Sequence, residues 1–209
     1  LVLKSMGEWK GKGAEISMVT LGKKAFSFFK NVKVEIAAHA SSLGEFEQVW
    51  PLAEALKEQY PNLVVAASFF SPSGYEVVRK RNLVDACGYL PFDNDPHISD
   101  FVDLLNPQLV LWAKYDFWYN TLKIISQKRI YILLVSAIFR DGQPFFRSWG
   151  LLHRQMLGYF SHIFVQDDIS YNLLKTIHLN EKNVTISGDT RFDRVQAIAA
   201  NWQPIPGIE

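Results

Sequence analysis

The sequence contains little cysteine and no long hydrophobic run. Cys87 is the only cysteine among 209 residues, so an intrachain disulfide and a cysteine metal cluster are both excluded. No run of 18 or more apolar residues occurs, and no segment is therefore predicted to span a membrane. The sequence begins at Leu1 rather than at methionine, which leaves room for a signal or an anchor upstream.

Several common catalytic motifs are also missing. The sequence has no G-x-G-x-x-G after its first predicted strand, no G-x-x-x-x-G-K-[ST] and no G-x-S-x-G. These absences disfavour a nicotinamide dinucleotide site, a P-loop and an α/β-hydrolase nucleophile. We predict no cofactor and no metal, because metal-ligand spacing is missing among the five histidines, at positions 39, 97, 153, 162 and 178.

The composition is that of a folded domain. Hydrophobic residues make up 48% and charged residues 21% of the chain, which permits a well-buried core and argues against disorder. The formal net charge is +1, so the overall charge does not favour nucleic acid as a partner.

The first 33 residues carry an excess of positive charge, with seven lysines against two glutamates. Within them, residues 21–30 mix three lysines with three phenylalanines. This stretch fits a basic amphipathic helix on an anionic membrane surface. Because the stretch is short, it fits slightly better a helix that packs its phenylalanines on the domain and exposes its lysines to solvent.

After this segment, apolar strands alternate with amphipathic helices. Such alternation predicts crossover units and a parallel sheet that is covered on both faces. We therefore predict an α/β, doubly wound domain over residues 33–200. The seven predicted strands are 32–38, 63–70, 87–91, 109–113, 130–135, 163–165 and 184–186, and one of the helices predicted between them covers 145–159.

In a sheet of this kind, functional groups gather at the carboxyl ends of the strands. We therefore expect several polar and charged residues on one rim, although each of them also fits an ordinary surface charge or helix cap. The charged ones are Glu45, Lys114, Asp116, Arg140, Asp189 and Arg191, and the small ones are Ser41, Ser42, Gly44 and Ser71.

Glu45 admits two interpretations. Ser42-Leu-Gly-Glu45 matches a capping box, in which Ser42 accepts from the Glu45 backbone N–H and Glu45 reaches back to Ser42. Alternatively, Glu45 is a general base that faces a substrate hydroxyl from the loop. On this local pattern alone the capping box is the commoner device.

Five motifs of the chain resemble those of one enzyme family. They are Ala-Ser-Ser-Leu-Gly-Glu at 40–45, Tyr-Leu-Pro-Phe-Asp at 89–93, Tyr-Asp-Phe-Trp-Tyr-Asn at 115–120, Ser-Ala-Ile-Phe-Arg at 136–140 and Gly-Asp-Thr-Arg-Phe-Asp at 188–193. In their order and spacing they resemble 3-deoxy-D-manno-octulosonic acid (Kdo) transferases of lipopolysaccharide synthesis, most of all those of the Bacteroides group.

The resemblance implies the N-terminal half of a GT-B glycosyltransferase built from two Rossmann-like domains. Residues 1–32 would be a basic segment, 33–200 the acceptor-binding domain and 201–209 the start of a linker. The C-terminal domain that binds most of CMP-Kdo would follow. The partners implied are CMP-Kdo, a lipid A precursor and the cytoplasmic face of the bacterial inner membrane.

The resemblance also assigns roles to residues. Glu45 matches the catalytic base of the family, while Asp116 and Arg191 match an acidic and a basic residue that support the transition state. The remaining rim residues would bind substrate. The family more often has Glu at position 116 and Lys at 191, and a Trp-Phe pair often replaces Ala37 and Ala38.

Two other classes of function remain open at this point. One is another GT-B enzyme that acts on a nucleotide sugar, such as a sugar epimerase. The other is a non-catalytic module that binds a sugar or a lipid. Loss of Glu45 would mark such a module, and Glu45 is present.

Overall fold

The computed structural model describes residues 34–192 except 82, 94 and 115, together with 195 and 199. The basic segment and the linker predicted at the two ends lie outside these residues. No helix among the described residues has both the length and the apolar character that a membrane crossing needs. In chain order the strands and α-helices are β1 (Ile36–Ala40), α1 (Leu43–Gln59), β2 (Val65–Phe69), α2 (Pro72–Arg81), β3 (Ala86–Tyr89), α3 (Asp95–Leu105), β4 (Leu109–Ala113), α4 (Tyr119–Gln127), β5 (Tyr131–Ala137), α5 (Leu151–Leu157), β6 (His162–Val165), α6 (Asp168–Thr176) and β7 (Val184–Ile186).

These strands form one parallel sheet in the order β3-β2-β1-β4-β5-β6-β7. The chain moves outward from β1 to β3, returns to the other side of β1, and moves outward again from β4 to β7. This reversal creates a switch point between β1 and β4, where the loops that follow the two strands diverge. The doubly wound α/β fold predicted from the sequence is confirmed.

Helices cover both faces of the sheet. On one face, Ala38 of β1 belongs to the same hydrophobic cluster as Phe46 of α1 and Val78 of α2. On the other face, Ala37 belongs to the cluster that contains Phe101 of α3 and Leu122 of α4. Burial on both faces explains why the strands are apolar at nearly every position.

Strand β1 begins later than predicted and continues to Ala40. His39 therefore lies inside the strand rather than in the loop beyond it, and only 2% of it is exposed. Its Nδ1 lies 3.0 Å from Ser68 Oγ, and its ring packs on Trp112 with 4.3 Å between the ring centres. Burial lowers the pKa of His39 to about 3, so this buried ring is neutral and has a structural role.

The single helix predicted over 145–159 was wrong, because the segment is divided. A 3₁₀ turn covers Pro144–Phe146, and α5 begins only at Leu151. Gly150 lies against this turn so closely that a Cβ would come 1.8 Å from the Pro144 carbonyl oxygen. Arg154 Nη1 also donates to the carbonyl oxygens of Phe145 and Arg147, at 3.1 and 2.8 Å. These contacts hold the chain in a bend where local pattern predicts helix.

Candidate active site

Charged residues from three loops surround Lys114 at the carboxyl edge of the sheet. Lys114 follows β4 and is 7% exposed. Burial and the charge of Arg191 lower the pKa of Lys114, whereas the charges of Asp189 and Glu45 raise it. Groups from the loops after β1, β4 and β7 therefore lie within electrostatic range of one ammonium. Two of these loops flank the switch point, where sheets of this type bind ligands.

Glu45 lies in the first turn of α1 and is half-buried. Its Oε2 accepts a hydrogen bond of 2.7 Å from the backbone N–H of Ser41. Burial raises the pKa of Glu45, although the backbone N–H groups of Ser41 and Ser42 and the charge of Lys114 act in the opposite direction. A raised pKa makes this carboxylate a better proton acceptor, which suits it to general-base chemistry.

The predicted capping box is only partly formed. Ser42 is the N-cap residue of α1, but its side chain makes no cap hydrogen bond. The Glu45 carboxylate does reach back, with a hydrogen bond from the Ser41 backbone N–H and a weaker contribution from that of Ser42. Glu45 thus stabilises the strand-to-helix turn without a reciprocal bond from serine.

The loop after β1 has an open side and an anchored side. Gly44 is exposed, and a Cβ built on it would meet nothing within 4 Å. On the other side, the Ser41 carbonyl accepts a 2.8 Å hydrogen bond from the Ser71 backbone N–H. The Ser41 hydroxyl oxygen is buried and has no hydrogen-bond partner among the described residues. The loop therefore leaves open space at Gly44, the residue before Glu45, while the contact with Ser71 holds its other side.

Asp116 follows β4 as a second carboxyl group near Glu45. Burial and the charge of Glu45 raise the pKa of Asp116 to about 6, while the Trp118 indole N–H acts in the opposite direction. Neither Asp116 Oδ2 nor Trp118 Nε1 completes a hydrogen bond within the described part of the chain. The Trp112 indole N–H donates to the Asp116 carbonyl and anchors this loop. Glu45 therefore lies close enough for its charge to oppose the ionisation of Asp116.

Asp189 and Arg191 form an ion pair in the loop after β7. Arg191 Nε donates to the two Asp189 carboxylate oxygens at 3.1 and 2.9 Å, and Nη2 donates to Oδ2 at 2.5 Å. Burial opposes the ionisation of Asp189, but the hydrogen bonds and charge of Arg191 outweigh it and lower the pKa of Asp189. The Arg191 side chain is 58% exposed and that of Asp189 9%, so the cation faces solvent with the anion beneath it.

Two residues at this edge of the sheet have unusual backbone conformations. Lys114 and Ser136 have φ values of 37° and 57°, a region that side-chain-bearing residues seldom occupy. The other described non-glycine residues with positive φ follow helices, where left-handed caps are ordinary, and they are Asn106, Arg129 and His178. Strain that tertiary contacts must hold is thus concentrated at the ends of β4 and β5.

These groups can carry out acid–base and electrostatic chemistry on a polar ligand. Glu45 can accept a proton, and the oxygens of Asp116 and Ser41 offer further acceptors to hydroxyl groups. Lys114 and Arg191 supply positive charge for an anion. The arrangement suits transfer of a group from an anionic donor to a hydroxyl-bearing acceptor.

Comparison with known sequences identifies the family. Residues 19–194 match the family described as 3-deoxy-D-manno-octulosonic-acid transferase (kdotransferase). This chain belongs to the Kdo transferase family. The family predicted from the five motifs is therefore confirmed, whereas the Bacteroides-group subtype stays a prediction.

Curated Kdo transferases are similar to this chain over part of their length. The 3-deoxy-D-manno-octulosonic acid transferase of Haemophilus influenzae is 28% identical over 163 residues, which cover 76% of this chain and 38% of that protein. The Aquifex aeolicus transferase is 30% identical over 90 residues, which cover 43% of this chain and 25% of that protein. The chain thus spans well under half the length of these relatives.

A shorter similarity concerns an unrelated protein. A 60-residue stretch is 42% identical to the ATP synthase gamma chain of Xanthomonas oryzae, and it covers 27% of this chain and 21% of that protein. A match of this extent does not assign the chain to that family.

Solved structures confirm the fold class. UDP-GlcNAc 2-epimerase from Neisseria meningitidis, solved with UDP-GlcNAc bound, superposes with a TM-score of 0.61 at 14% identity. The superposition covers 80% of this chain and 50% of that one. At this identity the likeness concerns the fold alone, so it adds nothing to the epimerase alternative.

The structure groups most of the predicted Kdo transferase site residues but not Arg140. Glu45, Asp189 and Arg191 each lie within electrostatic range of Lys114, and Ser71 supports the loop of Ser41. Arg140 is exposed, and among the described residues its hydrogen bonds are made by its backbone alone, both of them with Gln143. The loop after β5 turns back on itself at Arg140. The prediction from strand ends therefore located Arg140 at the correct edge of the sheet, but the residue does not join the charged cluster around Lys114.

Four residues that hold this site together were not among the predicted site residues. Thr190 Oγ1 donates a 2.7 Å hydrogen bond to the Gln48 carbonyl, and the Thr190 backbone N–H donates to Ser136 Oγ at 3.3 Å. Gln166 Nε2 donates to the Ser136 carbonyl at 3.0 Å. Ser136, Gln166 and Thr190 lie at or after the ends of predicted strands. Their contacts join distant parts of the chain, so no local pattern in the sequence predicts them.

Proposed function

We propose that this chain is the acceptor-binding half of a Kdo transferase, which transfers Kdo from CMP-Kdo to a lipid A precursor in lipopolysaccharide synthesis. The observation that carries the proposal is Glu45, a half-buried carboxylate of raised pKa in the family's Gly-Glu motif. It lies beside the switch point, with open space past Gly44. Membership of the family supports a glycosyltransferase role.

In this mechanism Glu45 accepts the proton of a glucosamine hydroxyl group of the acceptor. The oxygen attacks the anomeric carbon of Kdo as the bond from that carbon to the phosphate oxygen of CMP breaks. Attack from the side opposite to CMP inverts the configuration. Glu45 then holds the proton, and CMP leaves with the electron pair of the broken bond.

Asp116 and Arg191 stabilise the charges that develop in this step. Positive charge grows on the sugar ring, and Asp116, with a pKa of about 6, is mostly ionised at neutral pH and can oppose it. Negative charge grows on the departing phosphate, which the exposed Arg191 guanidinium can meet. We assign substrate binding to Ser41, Ser42, Gly44, Ser71, Lys114, Arg140 and Asp189, with Arg140 contributing from outside the cluster.

In this proposal residues 33–200 form the acceptor-binding domain, and 201–209 begin a linker to a C-terminal domain that binds most of CMP-Kdo. The enzyme would work at the cytoplasmic face of the inner membrane, where its lipid acceptor lies. Residues 1–32 would contribute to contact with that surface.

A full-length protein that contains this chain tests the proposal. With a lipid A precursor as acceptor, it should transfer Kdo from CMP-Kdo and release CMP, and it should leave UDP-sugars unchanged. Epimerisation of a UDP-sugar without Kdo transfer would instead support the nucleotide-sugar epimerase. Binding of the lipid without turnover of either donor would support the non-catalytic module.

A further inference from the structure

Thr190 connects the loop after β7 to the helix that carries Glu45. Its hydroxyl group donates to the Gln48 carbonyl of α1 at 2.7 Å, across 142 positions of sequence. Gln48 follows Glu45 by three residues, which places the two on neighbouring turns of one helical face. Asp189 and Arg191 lie on either side of Thr190, so this contact fixes their position relative to Glu45.

The helix receives this hydrogen bond close to a proline. Pro51 lies inside α1, three residues after Gln48, and proline contributes no backbone N–H to the helix. The Thr190 hydroxyl group therefore adds a donor to a part of the helix where the backbone supplies one fewer.

Thr190 is held from a second side as well. Its backbone N–H donates to Ser136 Oγ at 3.3 Å, and the two hydroxyl oxygens lie 3.3 Å apart. Ser136 has a φ of 57° and lies where the register between β5 and β6 shifts. Such a bulge redirects a side chain, and here Ser136 meets Thr190. The strained backbone thus supports the same contact.

We infer that Thr190 is a positioning residue, which holds the Asp189–Arg191 pair at a set distance from Glu45 through the Gln48 carbonyl. The inference rests on the proposed function of this site. Thr190 acts through its neighbours, because its own hydroxyl group is directed at the protein backbone.

The substitution Thr190→Val tests this inference in the full-length enzyme. Valine keeps the shape of threonine but removes the hydroxyl donor. We expect kcat for Kdo transfer to fall on the order of 10- to 100-fold, the cost of a misplacement near 1 Å. The KM for the acceptor should stay unchanged, because the lost alignment matters in the transition state. Thr190→Ser, which restores the hydroxyl, should recover most of kcat.

Thr176→Val is the matched control. Thr176 Oγ1 also donates to a carbonyl, that of Leu173, at 2.7 Å, on the exposed surface of α6. The control removes the same bond type away from the site and should leave kcat unchanged. If Thr190→Val and Thr176→Val lower kcat equally, Thr190 has only a general structural role and the inference is wrong.

Hydrogen exchange supplies a readout that does not require activity. Peptides over residues 187–192 should exchange faster in Thr190→Val than in the wild type, Thr190→Ser or Thr176→Val. Unchanged exchange, or faster exchange with normal kcat, would overturn the inference. A wild-type protein that transfers no Kdo refutes the proposed function. In that case the exchange data alone decide whether Thr190 holds the loop.

Discussion

Glu45 serves the fold and the proposed chemistry with the same carboxylate. Its Oε2 accepts from the Ser41 backbone N–H, which stabilises the turn, and its raised pKa prepares it to accept a proton. The two roles are separable, because a glutamine side chain can accept the first hydrogen bond but cannot take the proton.

Glu45→Gln should therefore abolish most turnover without unfolding the protein. We expect kcat of the full-length enzyme to fall by roughly two to four orders of magnitude, the usual contribution of a positioned general base. The melting temperature should barely move, since a cap contributes only about 1 kcal/mol. Steady-state assays with CMP-Kdo and thermal unfolding measure the two effects. Near-normal turnover in this variant would exclude Glu45 as the base.

The pairing of Glu45 with Asp116 predicts how activity depends on pH. A base must be ionised, and burial raises the pKa of Glu45, so kcat/KM should decline on acidification at a pH above the ordinary carboxyl range. The charge of Glu45 in turn opposes ionisation of Asp116, whose pKa is raised to about 6. Because the proposed role of Asp116 also requires its ionised form, activity should decline as the pH falls through about 6, and Asp116→Asn should move the midpoint of this decline to lower pH in a profile from pH 5 to 8. An unmoved midpoint would show that ionisation of Asp116 does not limit activity.

The pH dependence of stability provides a second test of Asp116→Asn. The pKa of Asp116 is raised from 3.8 to about 6 by folding, so between these values the folded protein binds more protons than the unfolded chain. The stabilisation that comes from protonated Asp116 is therefore fully present below pH 4 and is lost as the pH rises through 6. The loss is on the order of 3 kcal/mol at 1.36 kcal/mol per pKa unit. Urea unfolding of Asp116→Asn should lack this decline.

At the scale of single elements, the start of α5 depends on Gly150. Local pattern continues the helix back to residue 145, but the backbone at Gly150 comes too close to the Pro144 carbonyl for any side chain. This approach separates the 3₁₀ turn from α5. Glycine therefore determines where the helix begins.

Gly150→Ala should destabilise the protein, because its Cβ would lie 1.8 Å from the Pro144 carbonyl oxygen and 2.9 Å from the carbonyl carbon. The backbone must move to relieve this clash, which should lower the free energy of unfolding by roughly 1 to 3 kcal/mol or more. Gly142→Ala is the matched control in the same loop, since a Cβ there meets nothing within 4 Å. It should be neutral or stabilising by up to about 1 kcal/mol. Equal midpoints of urea unfolding for the two variants would contradict this contact.

At the scale of the whole molecule, the sheet is covered on both faces by the chain's own helices. A domain with its own core can fold alone. Residues 1–209 should therefore unfold cooperatively in circular dichroism, yet transfer no Kdo, because the proposed CMP-Kdo domain is absent. Measurable turnover of CMP-Kdo by this chain alone would contradict the two-domain assignment.

The basic N-terminal segment supports a prediction about membranes. Each lysine near an anionic surface contributes on the order of 1 kcal/mol, less at high salt. Replacing Lys23 and Lys24 by Gln should weaken co-sedimentation of the full-length protein with anionic liposomes. The same change at the exposed Lys80 and Lys182 is the control for net charge. Equal binding by both variants would favour the alternative, in which the segment packs on the domain.

The sequence by itself determined the architecture. Strands that are buried on both faces and amphipathic helices have patterns of apolar residues that can be recognised within a short stretch of sequence. It also placed the polar residues on one edge, since all parallel strands end there. Only the tertiary structure decided which of them meet. Lys114 lies near Glu45, Asp189 and Arg191, whereas Arg140 does not join them.

Tertiary structure likewise decided the raised pKa of Asp116 and the hydrogen bond between Thr190 and Gln48. The physical reason is that both join segments far apart in sequence. The return of the chain to the other side of β1 places the loop after β4 next to the loop after β1. The loop after β7 also reaches α1, although β7 lies at the edge of the sheet. No local pattern specifies that return, so burial and contacts between distant segments follow only from the folded sheet.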